Sequence, residues 1–524
     1  MKVFEASTCA RFAAALLTAL VAACGGGGGD TPATAASINA TSPPTAVTLS
    51  GLRSITLDPV PGPVHWGRTV QMKAVAINTA GTVASAAIYN WTSSDTNVAS
   101  VDVNGLLTLL NPGTANIQAT AGGATSNAIA VGVKGFAADS LAVHQKDNCV
   151  VDDSRTEVIC WGDGYAIHPN QPLELEYPSP TLLGLGLIPA GARIAQVAPG
   201  FKHNCVLTEA GAPYCWAGSA SNAEQIRGMG TLVAANQPAP VQRGELPDGV
   251  ITKKIVNGFS GTCSIGSDGK LYCWGWTGSI TRPVVLRPLS ELYYSTPTEV
   301  SVSAAGVRFV DFGFGGNVNC ALADTGGIYC GRSGNNNSST PLQLITPTVN
   351  QVPANVKLIQ LKASNSGRDF WGALGNDGWV YLYGDGFGRS FGNGSSTFVS
   401  ARQLTRLGQG DIPAGVKLTA FSIGGLSGSS CVLGDNGKAY CWGAGYQGSA
   451  GDGDLREHDV LSPKQVLQGQ VPATVKLVSI ECGTFHCTAI GSDRKTYAWG
   501  FGEGAATGGA GTVAVPTLIN RVKG

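Results

Sequence analysis

The sequence predicts an all-β chain in which a small β-sandwich precedes a seven-bladed β-propeller. Three observations support this prediction. Glycine is frequent, at 73 of 524 residues, and charged residues make up 13%, a composition that suits many short strands separated by turns. A hairpin-like unit recurs seven times at intervals of about 50 to 60 residues, which is typical of propellers and repeat arrays. A shorter segment of alternating apolar and polar residues comes before these units.

An apolar run of 12 residues, from Phe12 to Ala23, lies close to the start of the chain. It is shorter than the roughly 20 residues of a membrane-spanning helix and has the length of a signal-peptide core. The segment Val21-Ala22-Ala23-Cys24 resembles a bacterial lipoprotein signal, in which the cysteine is lipidated and becomes the mature N-terminus. We therefore expect a signal peptide over residues 1–23 and an exported lipoprotein with its lipid on Cys24. The alternative is an ordinary signal peptide with cleavage nearby.

The residue after the lipidation site is Gly25 rather than aspartate, which in Gram-negative lipoproteins resembles sorting to the outer membrane. The expected location is therefore the outer membrane, with the chain facing the periplasm or the cell surface and the lipid as its one membrane attachment. Residues 24–47 have no apolar periodicity and are expected to form a flexible tether.

Residues 48–134 are expected to form the β-sandwich. Val70-Gln71-Met72-Lys73-Ala74 alternates as a half-buried strand does, and Asn104-Gly105 is a turn sequence. The stretches Trp91-Thr92-Ser93-Ser94-Asp95 and Gly113-Thr114-Ala115-Asn116-Ile117 resemble the group 2 bacterial immunoglobulin-like domain. That resemblance implies a spacer or adhesion module, with Trp91 in its core.

Residues 135–524 are expected to form the propeller. Its clearest repeats have a cysteine, nine residues, a second cysteine and a tryptophan, with a tight-turn sequence between the cysteines. Cys149–Cys160 has one extra residue, and Cys320–Cys330 is followed by Gly331 where Trp is expected. Strands on both sides of such a turn form a hairpin, and facing residues of an antiparallel pair lie close enough for a disulfide. The exported compartment also favours oxidation, whereas nine intervening residues do not suit a zinc site. The predicted bridges are Cys149–Cys160, Cys205–Cys215, Cys263–Cys273, Cys320–Cys330 and Cys431–Cys441.

The seventh repeat departs from this pattern, because its hairpin positions hold Thr488 and Ala498. Cys487 lies one residue before the usual position, and a shift of one residue turns a side chain to the opposite face of a strand. The cysteine left over is Cys482. We therefore predict a Cys482–Cys487 bridge, the alternative being two free thiols.

The repeat also resembles the regulator of chromosome condensation repeat, through Gly200-Phe201-Lys202-His203 and Tyr497-Ala498-Trp499-Gly500, for example. The resemblance implies a seven-bladed propeller and structural roles for His203 and His486. It also implies that the chain ends meet in one blade. The first repeat is taken to lack its own Pro-led strand, and the remaining strand Pro516-Thr517-Leu518-Ile519 at the end of the chain is expected to complete that blade.

The member that gives the family its name exchanges nucleotides on a small GTPase and binds chromatin. Because this chain is expected to be exported and has zero formal net charge, we expect neither activity and no nucleic-acid partner.

The sequence contains one acidic cluster, in the loop after Trp442. Its members could offer oxygen ligands to calcium, but the twelve-residue calcium loop with its closing glutamate is absent. A solvated loop is therefore favoured. No nucleophile elbow or phosphate-binding loop occurs, so we expect no metal, no cofactor and no catalytic centre. The cluster comprises Asp452, Asp454, Glu457 and Asp459, beside His458.

Aromatic residues recur just after the Trp-Gly corner and are the candidates for a partner-binding rim, the alternative being packing against neighbouring blades. They are Tyr165, Trp276, Phe387, Tyr446 and Phe501.

The expected function is that of a monomeric cell-envelope lipoprotein, a non-catalytic binding or adhesion module that holds an unknown protein or glycan through propeller loops. One alternative is an enzyme inhibitor, since a secreted propeller of this family resembles an inhibitor of β-lactamases. The other is a glycan-active enzyme that uses the propeller channel.

Overall fold

The structure is a computed structural model. It describes residues 51–60, 64–85, 87–162, 177–200, 203–217, 237–258, 261–276, 293–314, 318–332, 342–344, 352–364, 370–424, 428–502 and 506–519. The expected signal peptide, the lipidation site Cys24 and the tether therefore lie outside the described residues. No helix in those ranges is long and apolar enough to span a membrane.

The first ten strands form the sandwich. One sheet pairs β2, β10, β8 and β5 with β9 beside β8, a second pairs β3, β7 and β6, and β1 pairs with β4. The buried residues of β8 alternate along the strand, as the sequence pattern predicts for a half-buried strand. The strands are β1 (Leu52–Leu57), β2 (Val64–His65), β3 (Thr69–Gln71), β4 (Ala74–Asn78), β5 (Asn90–Ser93), β6 (Ala99–Val101), β7 (Leu106–Leu109), β8 (Gly113–Ala121), β9 (Ala124–Thr125) and β10 (Ile129–Lys134).

The remaining strands form seven four-stranded sheets, which are the blades of the propeller. Blades 1 to 3 are β11 (Ala142–His144), β12 (Asp147–Val151), β13 (Val158–Gly162), β14 (Tyr177–Leu182), β15 (Ile194–Pro199), β16 (His203–Thr208), β17 (Pro213–Ala217), β18 (Ala239–Pro240), β19 (Thr252–Asn257), β20 (Gly261–Gly266), β21 (Leu271–Trp276) and β22 (Tyr293–Glu299). The predicted all-β class, a sandwich followed by a seven-bladed propeller, is confirmed.

Blades 4 to 7 contain the other strands and two short helical turns. They are β23 (Phe309–Phe314), β24 (Val318–Ala323), β25 (Ile328–Arg332), β26 (Gln343–Leu344), β27 (Leu358–Ala363), β28 (Phe370–Gly375), β29 (Val380–Phe387), α1 (Gly388–Phe391), β30 (Phe398–Arg406), β31 (Leu418–Ser422), β32 (Ser429–Gly434), β33 (Ala439–Ala444), a 3-10 turn (Tyr446–Gly448), β34 (Asp459–Gln465), β35 (Leu477–Cys482), β36 (His486–Gly491), β37 (Thr496–Gly500) and β38 (Val513–Leu518).

The ring closes differently from the expectation. Each blade consists of four consecutive strands, so the prediction that the chain ends share one blade is wrong. The physical reason is that β14, which contains Pro180, pairs with β13 and completes blade 1, while β38 pairs with β37 of blade 7. Side chains join blades 7 and 1 instead: Asn148 Oδ1 accepts hydrogen bonds from His486 Nε2 at 3.0 Å and from Thr488 Oγ1 at 2.8 Å.

Six disulfides brace the blades, and they join the same pairs of cysteines that the sequence predicts. Five of them link the second and third strands of one blade, as in the facing pair Cys205 and Cys215. In blade 7, Thr488 faces Ala498, and Cys482 of β35 faces Cys487 of β36. The bridge of blade 7 therefore joins its first two strands rather than its second and third.

The sandwich packs directly on the propeller through a shared apolar cluster. Trp66 and Val133 of the sandwich belong to the same buried cluster as Trp161 of blade 1 and Ile490 of blade 7. A charged group borders it: Glu157 accepts from His65 Nε2 at 2.7 Å, and Lys134 lies 3.4 Å from the same carboxylate. The two domains form one compact unit.

Candidate functional site

The first strand of every blade lines a central channel that encloses about 1060 Å³. Charged side chains in this channel are the first candidates for chemistry, because an enzyme of the channel type would need free carboxylates there. Asp311 of β23 is buried and accepts from the backbone N–H groups of Phe312 at 2.8 Å and Leu361 at 2.9 Å. Lys254 Nζ lies 2.6 Å from the same carboxylate. Asp311 is thus occupied by partners within the fold.

Another channel carboxylate, Glu481 of β35, is also paired. It forms an ion pair with Lys362 of β27 and accepts from Ser422 Oγ at 3.0 Å. Burial alone would lower the pKa of the Lys362 ammonium, but the Glu481 carboxylate raises that pKa above its ordinary value. The Ser422 hydroxyl also accepts from the backbone N–H of Cys482 at 2.8 Å. These contacts join the inner strands of blades 5, 6 and 7, which is a structural use of the charges.

An aromatic cluster lies at one mouth of the channel. Tyr446 follows the third strand of blade 6, and its ring centroid lies 4.9 Å from that of Phe485 and 5.8 Å from that of Phe501, both in blade 7. The two phenylalanine centroids are 6.1 Å apart. All three side chains are half-buried, and Phe485 also lines the channel. We call Tyr446, Phe485 and Phe501 the mouth cluster.

The backbone beside the mouth cluster adopts unusual conformations. Gln447 has φ 46° and ψ 47°, and Gln145 has φ 48°, both in the left-handed region that non-glycine residues rarely occupy. The Gln145 carbonyl accepts from the Thr484 N–H at 2.9 Å, and Gln447 Nε2 donates to the Tyr446 hydroxyl at 3.1 Å. Such conformations cluster at binding and catalytic sites, where the surrounding structure holds them in place.

The structure brings together part of the predicted rim. Tyr446 and Phe501 lie in the mouth cluster, and their contacts with each other also match the packing alternative, because they join two blades. Trp276 and Phe387 end the third strands of their blades, but their side chains lie outside the described part of the chain, as does Tyr165. Sequence reasoning missed Phe485 as a rim residue. The signal was its place in the Gly483-Thr484-Phe485-His486 motif, at the turn into the second strand.

The acidic loop is a network of ion pairs. The nearly buried Asp452 carboxylate accepts from His458 Nε2 and Lys464 Nζ, each at 2.9 Å. Burial would raise the pKa of Asp452, but these hydrogen bonds hold it below its ordinary value. Asp454 pairs with Arg456 at 2.6 Å. Asp459 pairs with Arg389 at 2.6 Å, and Glu457 is exposed. The protein's own cations therefore neutralise three of the four carboxylates.

His203 and His486 are buried at the interfaces between blades. His203 Nε2 donates to Thr262 Oγ1 at 2.6 Å, since that hydroxyl itself donates to Asn257. Burial lowers the pKa of each of these two histidines to about 3, so both are neutral at physiological pH. Their partners are side chains of the next blade, which is a structural role of the kind that the family resemblance implies.

One group of three possible metal ligands occurs among the described residues, formed by Cys431, Cys482 and Cys487, whose sulfur atoms lie within 4.8 Å of one another. All three belong to disulfides. Because metal binding requires the thiolate, the oxidised chain does not offer these atoms as ligands.

Comparisons with known proteins agree with this architecture. Residues 53–131 match the model of the bacterial Ig-like domain (group 2), and residues 436–490 match that of the regulator of chromosome condensation (RCC1) repeat. The chain is 27% identical over 390 residues to the mouse E3 ubiquitin-protein ligase HERC2, covering 71% of this chain but 7% of that protein. It is 24% identical over 354 residues to the protein pim1 of Schizosaccharomyces pombe, covering 62% of this chain and 63% of pim1.

Solved structures show the same fold. Prp20p from Saccharomyces cerevisiae superposes with a TM-score of 0.55 at 20% identity, covering 74% of this chain and 88% of Prp20p. Human WBSCR16 superposes with a TM-score of 0.52 at 16% identity, covering 67% of this chain and 86% of that one. The chain thus combines a bacterial Ig-like domain of group 2 with a seven-bladed propeller of the regulator of chromosome condensation type.

Proposed function

We propose that this chain is a non-catalytic binding module of the cell envelope, which holds a protein partner at the mouth cluster. The observation that carries the proposal is the half-buried group Tyr446, Phe485 and Phe501 at the channel mouth. Aromatic side chains supply much of the binding energy at protein interfaces, because they offer a large contact area with few rotatable bonds. Gln145 and Gln447 beside them have left-handed backbone conformations, and we propose that the hydrogen bonds of these segments preorganise the surface for binding.

The channel supports a binding role better than a catalytic one. Asp311 and Glu481 each have a lysine partner and at least one further hydrogen bond. A carboxylate that is held in this way is poorly placed to donate or accept a proton during catalysis. The proposal of a non-enzyme therefore rests on the pairing of these two groups.

A protein partner is the class that the relatives favour. Prp20p is described as binding Gsp1p and histones, and Kap60 is described as bound to yeast RCC1. The Ig-like domain, joined to the propeller by a shared core, would act as the spacer that presents the propeller to its partner. We propose no transfer of those particular partners, since the formal net charge here is zero.

Affinity capture from envelope extracts tests the binding proposal. The bait is the mature chain with Cys24 replaced, as wild type, as Phe485→Ala, and as Leu187→Ala. Leu187 is an exposed apolar residue, at 58%, outside the mouth cluster. We expect one protein to be retained by wild type and Leu187→Ala and to fall at least about tenfold with Phe485→Ala. Equal retention of that protein by Phe485→Ala and by wild type would overturn the proposal. So would capture of a glycan alone from an extract that was treated with protease beforehand.

The envelope location is tested separately. We propose that a lipid on Cys24 anchors the chain, because Val21-Ala22-Ala23-Cys24 has the lipoprotein pattern. Cys24→Ser should move the protein from the membrane fraction to the soluble fraction. Equal membrane retention of the variant would refute the lipid anchor without affecting the binding proposal.

A further inference from the structure

Two disulfides touch each other at the interface between blades 6 and 7. The Cys431 and Cys487 sulfur atoms lie 3.5 Å apart, although Cys431 is bonded to Cys441 and Cys487 to Cys482. All four cysteines are fully buried. At this distance the Cys487 sulfur is in van der Waals contact with one sulfur of the Cys431–Cys441 disulfide. That disulfide is the bond that a Cys487 thiolate could attack.

The register of blade 7 creates this contact. Cys487 is the second residue of β36 and lies opposite Trp499, one position before the usual cysteine site, so its side chain points to the opposite face of the strand. The second residue of β20, Thr262, shows what that position meets in another blade. Its Oγ1 lies 3.9 Å from the sulfur of Cys205 in the preceding blade. The one-residue shift thus places sulfur against sulfur where blade 3 has a hydroxyl.

We propose that Cys431 and Cys487 form a thiol–disulfide exchange site that can link blades 6 and 7 covalently. An external dithiol first reduces Cys482–Cys487 and is itself oxidised to a disulfide. The Cys487 thiolate then attacks the Cys431 sulfur, so that the Cys431–Cys487 bond forms and the Cys431–Cys441 bond breaks. Cys441 leaves as the thiolate and takes up a proton, and the number of disulfides in the chain is unchanged in this second step.

Burial controls when the exchange occurs. A thiolate is costly in an apolar, water-free site, so the native pairing persists until the interface opens. Cys487 Sγ also lies 3.9 Å from the carbonyl oxygen of Ser449, in the segment that follows Tyr446. The exchanged bond would therefore form directly beneath the loop that carries part of the mouth cluster. The exchange itself does not depend on the proposed binding role.

Removing one cysteine makes the exchange visible without a reductant. In Cys482→Ala, Cys487 starts as a free thiol beside the Cys431–Cys441 bridge. At about pH 8, close to the ordinary thiol pKa that applies once the interface opens, we expect Cys431–Cys487 to appear and Cys441 to become alkylatable. The exchanged pairing should reach at least about one tenth of the molecules. The readout is peptide mapping after acid quench, denaturation and alkylation. Labelling confined to Cys487 would overturn the proposal.

A second variant approaches the same contact from the other side, should Cys482→Ala fail to fold. In Cys441→Ala the free Cys431 attacks Cys487, and the label should appear on Cys482. The matched control is Cys215→Ala, whose free Cys205 faces Thr262 and not a disulfide. We expect the label to stay on Cys205 and the other bridges to stay intact. Scrambled bridges in this control would show that general unfolding, and not the contact, causes exchange, and would overturn the proposal.

Discussion

The Lys495 ammonium of blade 7 lies 4.9 Å from the centroid of the Trp66 indole of the Ig-like domain. The same ammonium donates to Asn111 Oδ1 at 2.7 Å, and the neighbouring Arg494 lies 2.5 Å from the Asp153 carboxylate of blade 1. One turn of blade 7 thus contacts the sandwich and the first blade together. These contacts place the sandwich beside the junction between blades 7 and 1, where the ring closes.

Truncation of Trp66 should uncouple the two domains. Trp66 is 5% exposed and belongs to the apolar cluster that both domains share, so Trp66→Ala should lower the free energy of unfolding by about 3 to 5 kcal/mol. Because the two domains share a core, we also expect the wild type to unfold in one calorimetric transition and Trp66→Ala in two. The control is Leu57→Ala, since Leu57 is buried in a separate sandwich cluster with Ile55 and Ala119. It should destabilise the sandwich and leave the propeller transition in place. Identical calorimetric traces for the two variants would contradict this role of Trp66.

The domain junction should weaken in acid. Burial would raise the pKa of the Glu157 carboxyl, but the hydrogen bond from His65 and the charge of Lys134 lower it below its ordinary value of 4.5. A carboxyl with a depressed folded-state pKa stabilises the fold above its unfolded-state pKa, and this contribution is lost as the pH falls through the folded-state value. The free energy of unfolding should therefore drop below about pH 4.5, and less steeply in Glu157→Gln. Equal acid dependence in the variant would refute the prediction.

The Lys362–Glu481 pair gives a test of charge pairing in the channel. Lys362→Met leaves Glu481 without its cation in a partly buried site, where its side chain is 18% exposed. We expect a loss of about 1 to 2 kcal/mol of stability, discounted from the fully buried case because water reaches both groups. The double variant Lys362→Met/Glu481→Gln should recover part of the loss. Denaturant titration of the two single and the double variants measures the coupling, and additive effects would contradict it.

The repeat pattern of the sequence predicted most of the fold. The fixed spacing of the cysteines around a turn sequence predicted the hairpins. The displaced Cys487 predicted the unusual bridge of blade 7, because neighbouring residues of a strand point to opposite faces. The closure of the ring could not be predicted in this way. Ring closure depends on which strand, β14 or β38, pairs with β13. Both strands contain a Pro-led sequence, so the sequence does not distinguish them. The mouth cluster was found in part, because Phe485 comes close to Tyr446 through the packing of two blades rather than through sequence spacing.

The affinity of the captured protein partner for single-site variants tests the binding account most directly. Titration calorimetry with the purified partner should give a Kd at least about tenfold higher for Phe485→Ala than for wild type, a loss of about 1.4 kcal/mol. Leu187→Ala should bind as wild type does. An unchanged Kd for Phe485→Ala, Phe501→Ala and Tyr446→Ala alike would show that the mouth cluster is not the binding surface.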